Sequence, residues 1–243
     1  MAHKRLDVLL VERGLFESRA KAQAAVHAGG VFVGGRSALK ASASVDDAAL
    51  IAATPAHPWV GRGALKLEHA LTTWPVAVGG RIVLDVGAST GGFTEVCLKR
   101  GAAKVFAVDV GRGQLHPTLK GDDRVVDLQA TDARTLDRTV IAEPVDLIVC
   151  DASFIGLAKV LARPLSLARP GADLIALVKP QFEVGPERVG RGGLVKDEAD
   201  QLRALADVRA FLHAQGWSAQ ADIESPIRGG DGNQEFLMWA VRL

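Results

Sequence analysis

Residues 81–94 read Arg81-Ile82-Val83-Leu84-Asp85-Val86-Gly87-Ala88-Ser89-Thr90-Gly91-Gly92-Phe93-Thr94. The apolar run before Gly87 predicts a buried β-strand, and the apolar residues after the turn, Phe93 and Cys97, predict a helix. Glycines at such a junction allow a ligand to approach the backbone closely. The spacing after Asp85 is Gly-x-x-x-Gly-Gly and differs from the Gly-x-Gly-x-x-Gly turn of dinucleotide-binding proteins, which disfavours a pyrophosphate site.

Short apolar segments alternate with helical patterns along this part of the chain. The pattern predicts seven strands, near residues 81–86, 104–109, 124–128, 145–150, 172–178, 217–223 and 235–242. Such alternation is typical of an α/β fold, in which a mostly parallel sheet carries helices on both faces. The glycine-rich connection between the last two strands is too short for a crossover helix, so we expect these strands to pair antiparallel.

The longest predicted helix precedes the last two strands. It covers residues 197–215, with Asp197 as its N-cap and Gly216 as its stop. Its predicted apolar face consists of Leu202, Leu205, Val208 and Leu212.

The beginning of the chain predicts a separate, small α+β domain. Leu6, Leu9 and Leu10 lie on one face of a first helix, and Ser18 can cap a second. Gly34-Gly35 then supplies a tight turn between two short strands. We expect a domain over residues 1–54, a linker rich in Pro and Trp over residues 55–61, and the α/β domain over residues 62–243.

Composition and charge exclude several classes of protein. Apolar residues make up 48% and charged residues 23% of the 243 residues, values typical of a globular protein. The sequence contains no apolar run long enough for a membrane helix and no secretory h-region, so we expect no membrane partner. Cys97 and Cys150 lack metal-ligand spacing and the six histidines form no cluster, which predicts no metal site and a reducing, cytoplasmic location.

The first forty residues are basic, although the net charge of the whole chain is only +1. Seven Lys and Arg face three Asp and Glu there, a local charge of +4. This asymmetry predicts contact with a polyanion, although a solvated basic surface explains it equally well. The candidate phosphate contacts are Arg5, Arg13, Arg19, Lys21 and Arg36, together with Arg62 in the second domain.

Ionisable residues follow or open several of the predicted strands. Asp151 follows the fourth strand, Lys179 follows the fifth and Glu235 opens the last. Because the last strand is antiparallel, its beginning lies at the carboxyl edge of the sheet, where ligands bind in such folds. Lys66 lies one step off the apolar stripe of its helix. Each residue alone could also be a strand-closing lysine, a helix cap or an edge-strand charge.

Two further acidic residues follow strands next to the glycine-rich turn. Asp109 ends the second strand, at the position where an acidic side chain accepts hydrogen bonds from ribose hydroxyls. Asp132 follows the third strand.

The Asp-x-Gly-x-x-x-Gly turn resembles the first motif of S-adenosylmethionine-dependent methyltransferases. The resemblance implies S-adenosylmethionine as cofactor and a Rossmann-like class I methyltransferase fold. The cofactor-binding residues it implies are Asp85, Gly87, Ser89, Gly91, Gly92, Phe93, Asp109, Asp132 and Asp151. Among these, Asp132 would lie against the adenine amine.

Lys66, Asp151, Lys179 and Glu235 together resemble the K-D-K-E tetrad of the FtsJ-type RNA 2′-O-ribose methyltransferases. A ribose hydroxyl is a poor nucleophile, so its proton must leave as the methyl group moves. A buried lysine beside a second ammonium group can accept that proton. The resemblance makes Lys179 the candidate base and Lys66 the group that steers the nucleophile, with Asp151 and Glu235 in support.

The first domain resembles the S-four-type RNA-binding domain, on the segments Arg5-Leu6-Asp7, Ser18-Arg19 and Gly29-Gly30-Val31-Phe32-Val33. Joined to an FtsJ-like domain, it is similar to the TlyA family, whose members are also called haemolysins. That family implies 2′-O-methylation of cytidine in ribosomal RNA, with ribosomal subunits as partners. The chain stops at Leu243 and resembles the family's short form, which favours large-subunit RNA, with small-subunit RNA possible. The oligomeric state stays open, with a monomer favoured.

Three alternatives come from other classes, and two of them, a haemolysin and a ribosome-assembly protein, stay open. A haemolysin would need a membrane-active segment, which the sequence does not show. A non-catalytic RNA-binding or ribosome-assembly protein would not need all four tetrad residues. A nicotinamide-dependent oxidoreductase would require the glycine spacing that this turn lacks.

Overall fold

The computed structural model describes residues 3–243, which divide into two compact units with the boundary between Pro58 and Trp59. Residues 54–63, on either side of this boundary, form neither helix nor strand. Within the described residues, no helix is both long and apolar enough to cross a membrane.

From residue 3 onward, the amino-terminal unit contains two helices and five short strands. Its elements are β1 (His3–Arg5), α1 (Leu6–Glu12), α2 (Arg19–His27), β2 (Val31–Val33), β3 (Arg36–Ser37), β4 (Ser44–Asp46) and β5 (Ile51–Ala53). Ser18 caps α2 by accepting a hydrogen bond from the backbone of Lys21. The predicted hairpin is present, with Val33 paired to Arg36 across the turn.

Two strand pairings in this unit were not predicted. Strand β1 pairs with β4, and β5 adds to the other side of β2, both antiparallel. Strands of three residues are too short to show an alternating pattern, so the sequence carries no clear signal for them. The apolar sides of the two helices and the strands enclose one core, which includes Leu6, Leu10 and Val31.

A buried carboxylate organises the surface of this unit. Asp7 is fully buried, and its Oδ2 accepts hydrogen bonds from Arg5 at 3.0 Å, Arg19 at 3.0 Å and Gln23 at 2.7 Å. The Arg5 guanidinium, helped by Gln23 and Arg19, holds the pKa of Asp7 well below its usual range. The two arginine side chains are themselves half exposed, at 50% and 56%.

The carboxyl-terminal unit contains the α/β fold. Its elements are α3 (Ala64–Thr73), β6 (Ile82–Val86), α4 (Gly92–Lys99), β7 (Lys104–Asp109), α5 (Pro117–Lys120), β8 (Val125–Gln129), β9 (Val145–Cys150), α6 (Leu157–Leu167), β10 (Ala168–Val178), α7 (Pro180–Glu183), α8 (Glu198–Ala214), β11 (Trp217–Glu224) and β12 (Phe236–Arg242). Short 3₁₀ turns cover Ala133–Thr135 and Pro186–Arg188.

The predicted seven-stranded sheet is confirmed. Its strand order is β11-β12-β10-β9-β6-β7-β8. The five strands from β10 to β8 pair parallel, and β12 pairs antiparallel with both β10 and β11, as the short connection requires. The carboxyl ends of the parallel strands and the start of β12 therefore lie at one edge.

Helices cover both faces of this sheet. Successive strand residues point to opposite faces, so Leu84 and Val83 belong to two separate cores. Helix α8 buries Leu205, Val208 and Leu212 as predicted, but Leu202 is 58% exposed. At about 100° per residue, Leu202 lies about 60° from Leu205, the nearest of the other three, and about 120° from Val208. The prediction that Leu202 belongs to the apolar face is therefore wrong.

We predict that Asp7→Asn destabilises the amino-terminal unit selectively. The amide loses the charged acceptor of three donors, and hydrogen bonds between charged partners are worth about 1.5–3 kcal/mol. Because the folded pKa of Asp7 lies below its unfolded value, its contribution is complete above about pH 4 and disappears as the pH falls further. Hydrogen exchange should accelerate in α1 and α2 at pH 7, with β6 and β9 unchanged.

The matched control is Glu12→Gln, which removes an exposed partner of Lys4 in the same unit. Surface ion pairs contribute little, so exchange in α1 and α2 should stay close to wild type. Equal exchange rates in wild type and Asp7→Asn at pH 7 would contradict the role assigned to Asp7.

Candidate active site

Two cavities adjoin at the carboxyl edge of the sheet. The first has a volume of about 480 Å³ and the second about 460 Å³, both within the range of small-molecule sites. Five residues line both cavities: Gly87, Ser89, Asp151, Ser153 and Phe154. The loop after β9 and the glycine-rich turn after β6 thus form the shared wall.

The four residues predicted as a tetrad come together in the first cavity. Lys66 Nζ lies 2.6 Å from Glu235 Oε2 and 3.6 Å from Asp151 Oδ2. Lys179 Nζ lies 2.7 Å from Asp151 Oδ1. Asp151 therefore bridges the two lysines, and the cluster contains two positive and two negative groups. Lys66 and Lys179 are each 5% exposed and Glu235 is 3% exposed, so these charges are compensated mainly by one another.

Ser153 completes the surroundings of Lys179 and was not singled out from the sequence. Lys179 Nζ donates to Ser153 Oγ at 2.7 Å and to the backbone oxygen of Asp151 at 3.4 Å. Asp151 Oδ1 adds an ion-pair contact at 2.7 Å that lacks hydrogen-bond geometry, so Lys179 has two hydrogen-bond acceptors and one carboxylate partner. The only sequence signal for Ser153 is its place two residues after Asp151.

A buried asparagine ties a neighbouring loop to the start of β12. Asn233 is 2% exposed, accepts a hydrogen bond from the Val195 backbone at 2.9 Å and donates to the Gly193 oxygen at 2.8 Å. It lies two residues before Glu235, and its contacts therefore fix the backbone that presents this carboxylate. Asn233 was also missed, because its polar side chain resembles that of any loop residue.

Two of the predicted cofactor residues, Asp109 and Asp132, line the second cavity and not the first. Asp109 accepts hydrogen bonds from the backbones of Ser89 and Gly111, at 2.8 and 2.7 Å, through different carboxylate oxygens. Asp132 accepts from Arg134, whose guanidinium holds the pKa of Asp132 below its usual value. Both carboxylates line the cavity.

The second cavity fits the nucleoside part of S-adenosylmethionine. Each Asp109 oxygen retains acceptor capacity beyond its backbone partner and can accept a ribose hydroxyl. Apolar side chains of Val108, Val110, Ile155 and Val160 supply walls suited to a purine ring. The donor and acceptor set is therefore compatible with this cofactor.

The glycines of the turn lie where an added side chain would meet neighbouring atoms. Gly87 has φ +82°, and a Cβ there would lie 2.9 Å from the backbone of Ala152. Gly91, at φ +93°, turns the chain into α4 and lines neither cavity. Gly92 and Phe93 line the first cavity. A Cβ at Gly92 would meet the Ala64 backbone at 3.0 Å, so this glycine lets α4 approach α3.

Asp85 lines neither cavity. It is fully buried, its Oδ2 accepts a hydrogen bond from Thr94 at 2.6 Å, and its Oδ1 has no hydrogen-bond partner among residues 3–243. Burial raises the pKa of Asp85 to about 7. Asp85 thus connects β6 to α4 beneath the turn.

The predicted phosphate contacts differ in their surroundings. Arg13 donates to the backbone oxygens of Ala49 and Asp47, and Lys21 pairs with Glu17. Arg36 is exposed on β3, and Arg5 and Arg19 share Asp7 as described above. Arg62 lines the first cavity. In the described part of the chain, no three His, Cys, Asp or Glu side chains form a group that could hold a metal ion.

Two family models match the chain, one in each unit. The FtsJ-like methyltransferase family matches residues 59–242, and the S4 domain matches residues 4–51.

Curated relatives extend over most of the chain. The 16S/23S rRNA (cytidine-2′-O)-methyltransferase TlyA of Mycobacterium tuberculosis is 46% identical over 97% of this chain and 88% of its own length. The 23S rRNA (cytidine-2′-O)-methyltransferase TlyA of Campylobacter jejuni is 35% identical over 76% of this chain and 71% of its own.

Solved structures share the fold. A protein from Streptococcus thermophilus described as a hemolysin has a TM-score of 0.79 and 38% identity, covering 100% of this chain and 89% of its own. The magnesium protoporphyrin IX methyltransferase of Synechocystis, solved with S-adenosylmethionine, has a TM-score of 0.52 and 19% identity, covering 74% of this chain and 80% of its own. At that identity the second likeness shows the fold alone.

We predict that Asp109→Asn weakens the binding of S-adenosylhomocysteine. The variant loses the charged acceptor for ribose hydroxyls, and a charge-assisted hydrogen bond corresponds to a rise in Kd of about ten- to hundredfold. Isothermal calorimetry on the full chain measures the change. Asp122→Asn, which alters a partly exposed carboxylate paired with Arg124 outside both cavities, should keep the wild-type Kd. An unchanged Kd in Asp109→Asn would place the ribose elsewhere.

Proposed function

Because the chain belongs to the TlyA family of FtsJ-like methyltransferases, we propose that it methylates the 2′-oxygen of a cytidine in large-subunit ribosomal RNA. S-adenosylmethionine is the methyl donor. The observation that carries the proposal is the buried cluster of Lys66, Asp151, Lys179 and Glu235 beside a nucleoside-sized cavity. Large-subunit RNA is favoured because 23S rRNA stands in the names of both TlyA relatives described above, whereas 16S rRNA stands in one.

The second cavity would hold the cofactor. The carboxylate of Asp109 would accept the ribose hydroxyls, Asp132 would face the adenine amine, and the turn at Gly87 would lie beside the amino-acid part. The cofactor supplies an activated methyl group that needs in-line positioning more than acid catalysis. The residues shared by both cavities, Ser89 and Ser153 among them, lie where the methyl group would pass to the substrate.

Lys179 would accept the proton of the ribose 2′-hydroxyl. Ser153 Oγ and the Asp151 backbone oxygen accept hydrogen bonds from its Nζ, and Asp151 Oδ1 pairs with it, so these groups hold the nitrogen in place. A lysine acts as a base in its uncharged form. The Ser153 hydroxyl can then rotate and donate to the free amine. Lys66 would hold Asp151 and Glu235 in place and steer the nucleophile, which leaves Asp151 oriented toward Lys179.

The amino-terminal unit would hold the RNA. We assign residues 1–54 to RNA binding and residues 62–243 to methyl transfer, joined through residues 55–61. Arg5, Arg19 and Arg36 would contact phosphates, which position RNA without reading its sequence. The 2′-hydroxyl is the group that distinguishes RNA from DNA at the reacting nucleotide.

A non-catalytic RNA-binding protein is the competing function. Such a protein would gain nothing from two buried lysines whose charges must be matched by two carboxylates, because an isolated buried charge is costly. The cluster therefore favours catalysis.

We predict that the chain transfers tritiated methyl groups from S-adenosylmethionine to isolated, unmodified large ribosomal subunits. Lys179→Ala should reduce the rate at least about hundredfold, because general bases contribute about 10²–10⁴-fold. Lys159→Ala, which removes an exposed lysine on α6, should retain the wild-type rate. Mapping the label would identify the nucleotide.

Two outcomes would count against the proposal. Absence of label on either subunit, with cofactor binding intact, would favour the non-catalytic alternative. Label confined to the small subunit would refute the proposed substrate.

Glycines pack against two of the tetrad carboxylates. A Cβ at Gly229 would lie 2.7 Å from Glu235 Oε1 and 2.8 Å from Asp231 Oδ1. A Cβ at Gly63 would lie 3.2 Å from Asp151 Oδ2. Since Glu235 is buried and paired with Lys66, it cannot move away without disturbing the cluster.

We predict that Gly229→Ala lowers kcat about ten- to hundredfold, because small displacements of positioned groups have effects of this size. Affinity for S-adenosylhomocysteine should stay unchanged, since Gly229 does not line the second cavity. In Gly121→Ala, the new Cβ meets its nearest atom at 4.0 Å and should leave kcat intact. Wild-type kcat in Gly229→Ala would show that the position of Glu235 does not limit turnover.

A further inference from the structure

Gln181 lines the first cavity and takes no part in the proposed proton transfer. It lies on α7, two residues after Lys179, and lines the cavity that contains the tetrad. Its amide nitrogen donates to Asp231 Oδ2 at 3.0 Å. Its carbonyl oxygen Oε1 is buried and has no hydrogen-bond partner within the described chain.

Asp231 fixes which end of the amide is bound. Burial opposes ionisation of Asp231, but hydrogen bonds from Asn233 and Gln181 prevail and hold the pKa of Asp231 below its usual value. An ionised carboxylate accepts hydrogen bonds and cannot donate them. A flipped amide would bring Oε1 against this carboxylate, so Gln181 keeps its nitrogen toward Asp231 and has only an acceptor left to offer.

Asn233 strengthens this arrangement from the other side. Its side-chain amide donates to the same Asp231 Oδ2 at 2.9 Å, and its backbone donates to Oδ1 at 3.1 Å. Asp231 is therefore held by a residue that is itself buried and anchored to Val195 and Gly193. The orientation of Gln181 is set before any substrate binds.

A buried acceptor without a donor is unfavourable, and such groups in folded proteins call for an explanation. A bound donor would satisfy Oε1. Cytosine carries an amino group at position 4, where uracil carries a carbonyl oxygen. An acceptor facing that position would favour cytosine and oppose uracil.

We propose that Gln181 determines base specificity, with Oε1 accepting a hydrogen bond from the 4-amino group of the target cytosine. The proposal rests on the proposed function, since it assumes that a cytidine ribose reaches the tetrad in the same cavity. At about 480 Å³, this cavity can hold a pyrimidine nucleotide. Gln181 is a specificity residue and takes no part in the proton transfer.

The test compares two transcribed RNA fragments of the large-subunit RNA that differ only at the mapped nucleotide, one with cytidine and one with uridine. The measured quantity is kcat/KM for each RNA, with wild type and Gln181→Met. Methionine has a similar length and shape but lacks the amide oxygen. Wild type should prefer cytidine by about ten- to hundredfold, and Gln181→Met should bring the ratio close to one, mainly through slower reaction with cytidine.

Two further variants sharpen the result. Gln201→Met removes an amide that donates to the Val195 oxygen outside both cavities, and it should keep the wild-type ratio. Asp231→Asn leaves Gln181 in place but permits its amide to flip, because asparagine can also donate. The ratio of kcat/KM for the cytidine RNA to kcat/KM for the uridine RNA should then decrease.

The outcomes separate the two proposals. No transfer from wild type to isolated large ribosomal subunits would overturn the proposed function. Transfer by wild type, with an unchanged cytidine-to-uridine ratio in Gln181→Met, would overturn the inference alone. If Gln181→Met fails to bind S-adenosylhomocysteine and is misfolded, Asp231→Asn decides: a wild-type ratio in that variant refutes the role of Gln181.

Discussion

Two ammonium groups and two carboxylates lie buried together at the carboxyl edge of the sheet, and the rest of the site is arranged around this charge balance. Neither Lys66 nor Lys179 could be 5% exposed without a matched partner, since an unpaired buried charge is strongly destabilising. Asp151 satisfies both lysines at once, and Glu235 compensates the second positive charge. Removing any one member leaves the others with a net charge in a region from which water is largely excluded.

Sheet topology brings these four groups to one place. Strands β9 and β10 are parallel and end at the same edge, while β12 enters that edge from the opposite direction. Residues that follow two strands and precede a third thus meet, although almost half of the second unit lies between Asp151 and Glu235 in the sequence. The antiparallel direction of the last strand therefore brings Glu235 to this edge. Gly63 and Gly229 add the close approach that side chains would prevent.

The convergence of the tetrad could be predicted from sequence because it follows from strand order, which apolar periodicity reveals well in buried parallel sheets. Details that depend on side-chain geometry could not. Asp85 belongs to the motif yet points into the protein toward Thr94. The partners of Ser153 and Gln181 are likewise invisible in the sequence, because each is set by a single rotamer and by residues far along the chain. Short strands such as β4 were not predicted, because three residues are too few to show an alternating apolar pattern.

The central claim is that Lys179 receives the proton of the ribose 2′-hydroxyl while the cofactor occupies the second cavity. A crystal or cryo-electron microscopy structure of the chain with substrate RNA and a non-reactive cofactor analogue tests it directly. The account predicts that the 2′-oxygen lies within about 3 Å of Lys179 Nζ. It also predicts that this oxygen, the methyl position and the atom of the analogue that replaces the sulfonium sulfur lie on one line. A 2′-oxygen remote from Lys179, or an analogue outside the second cavity, would contradict it.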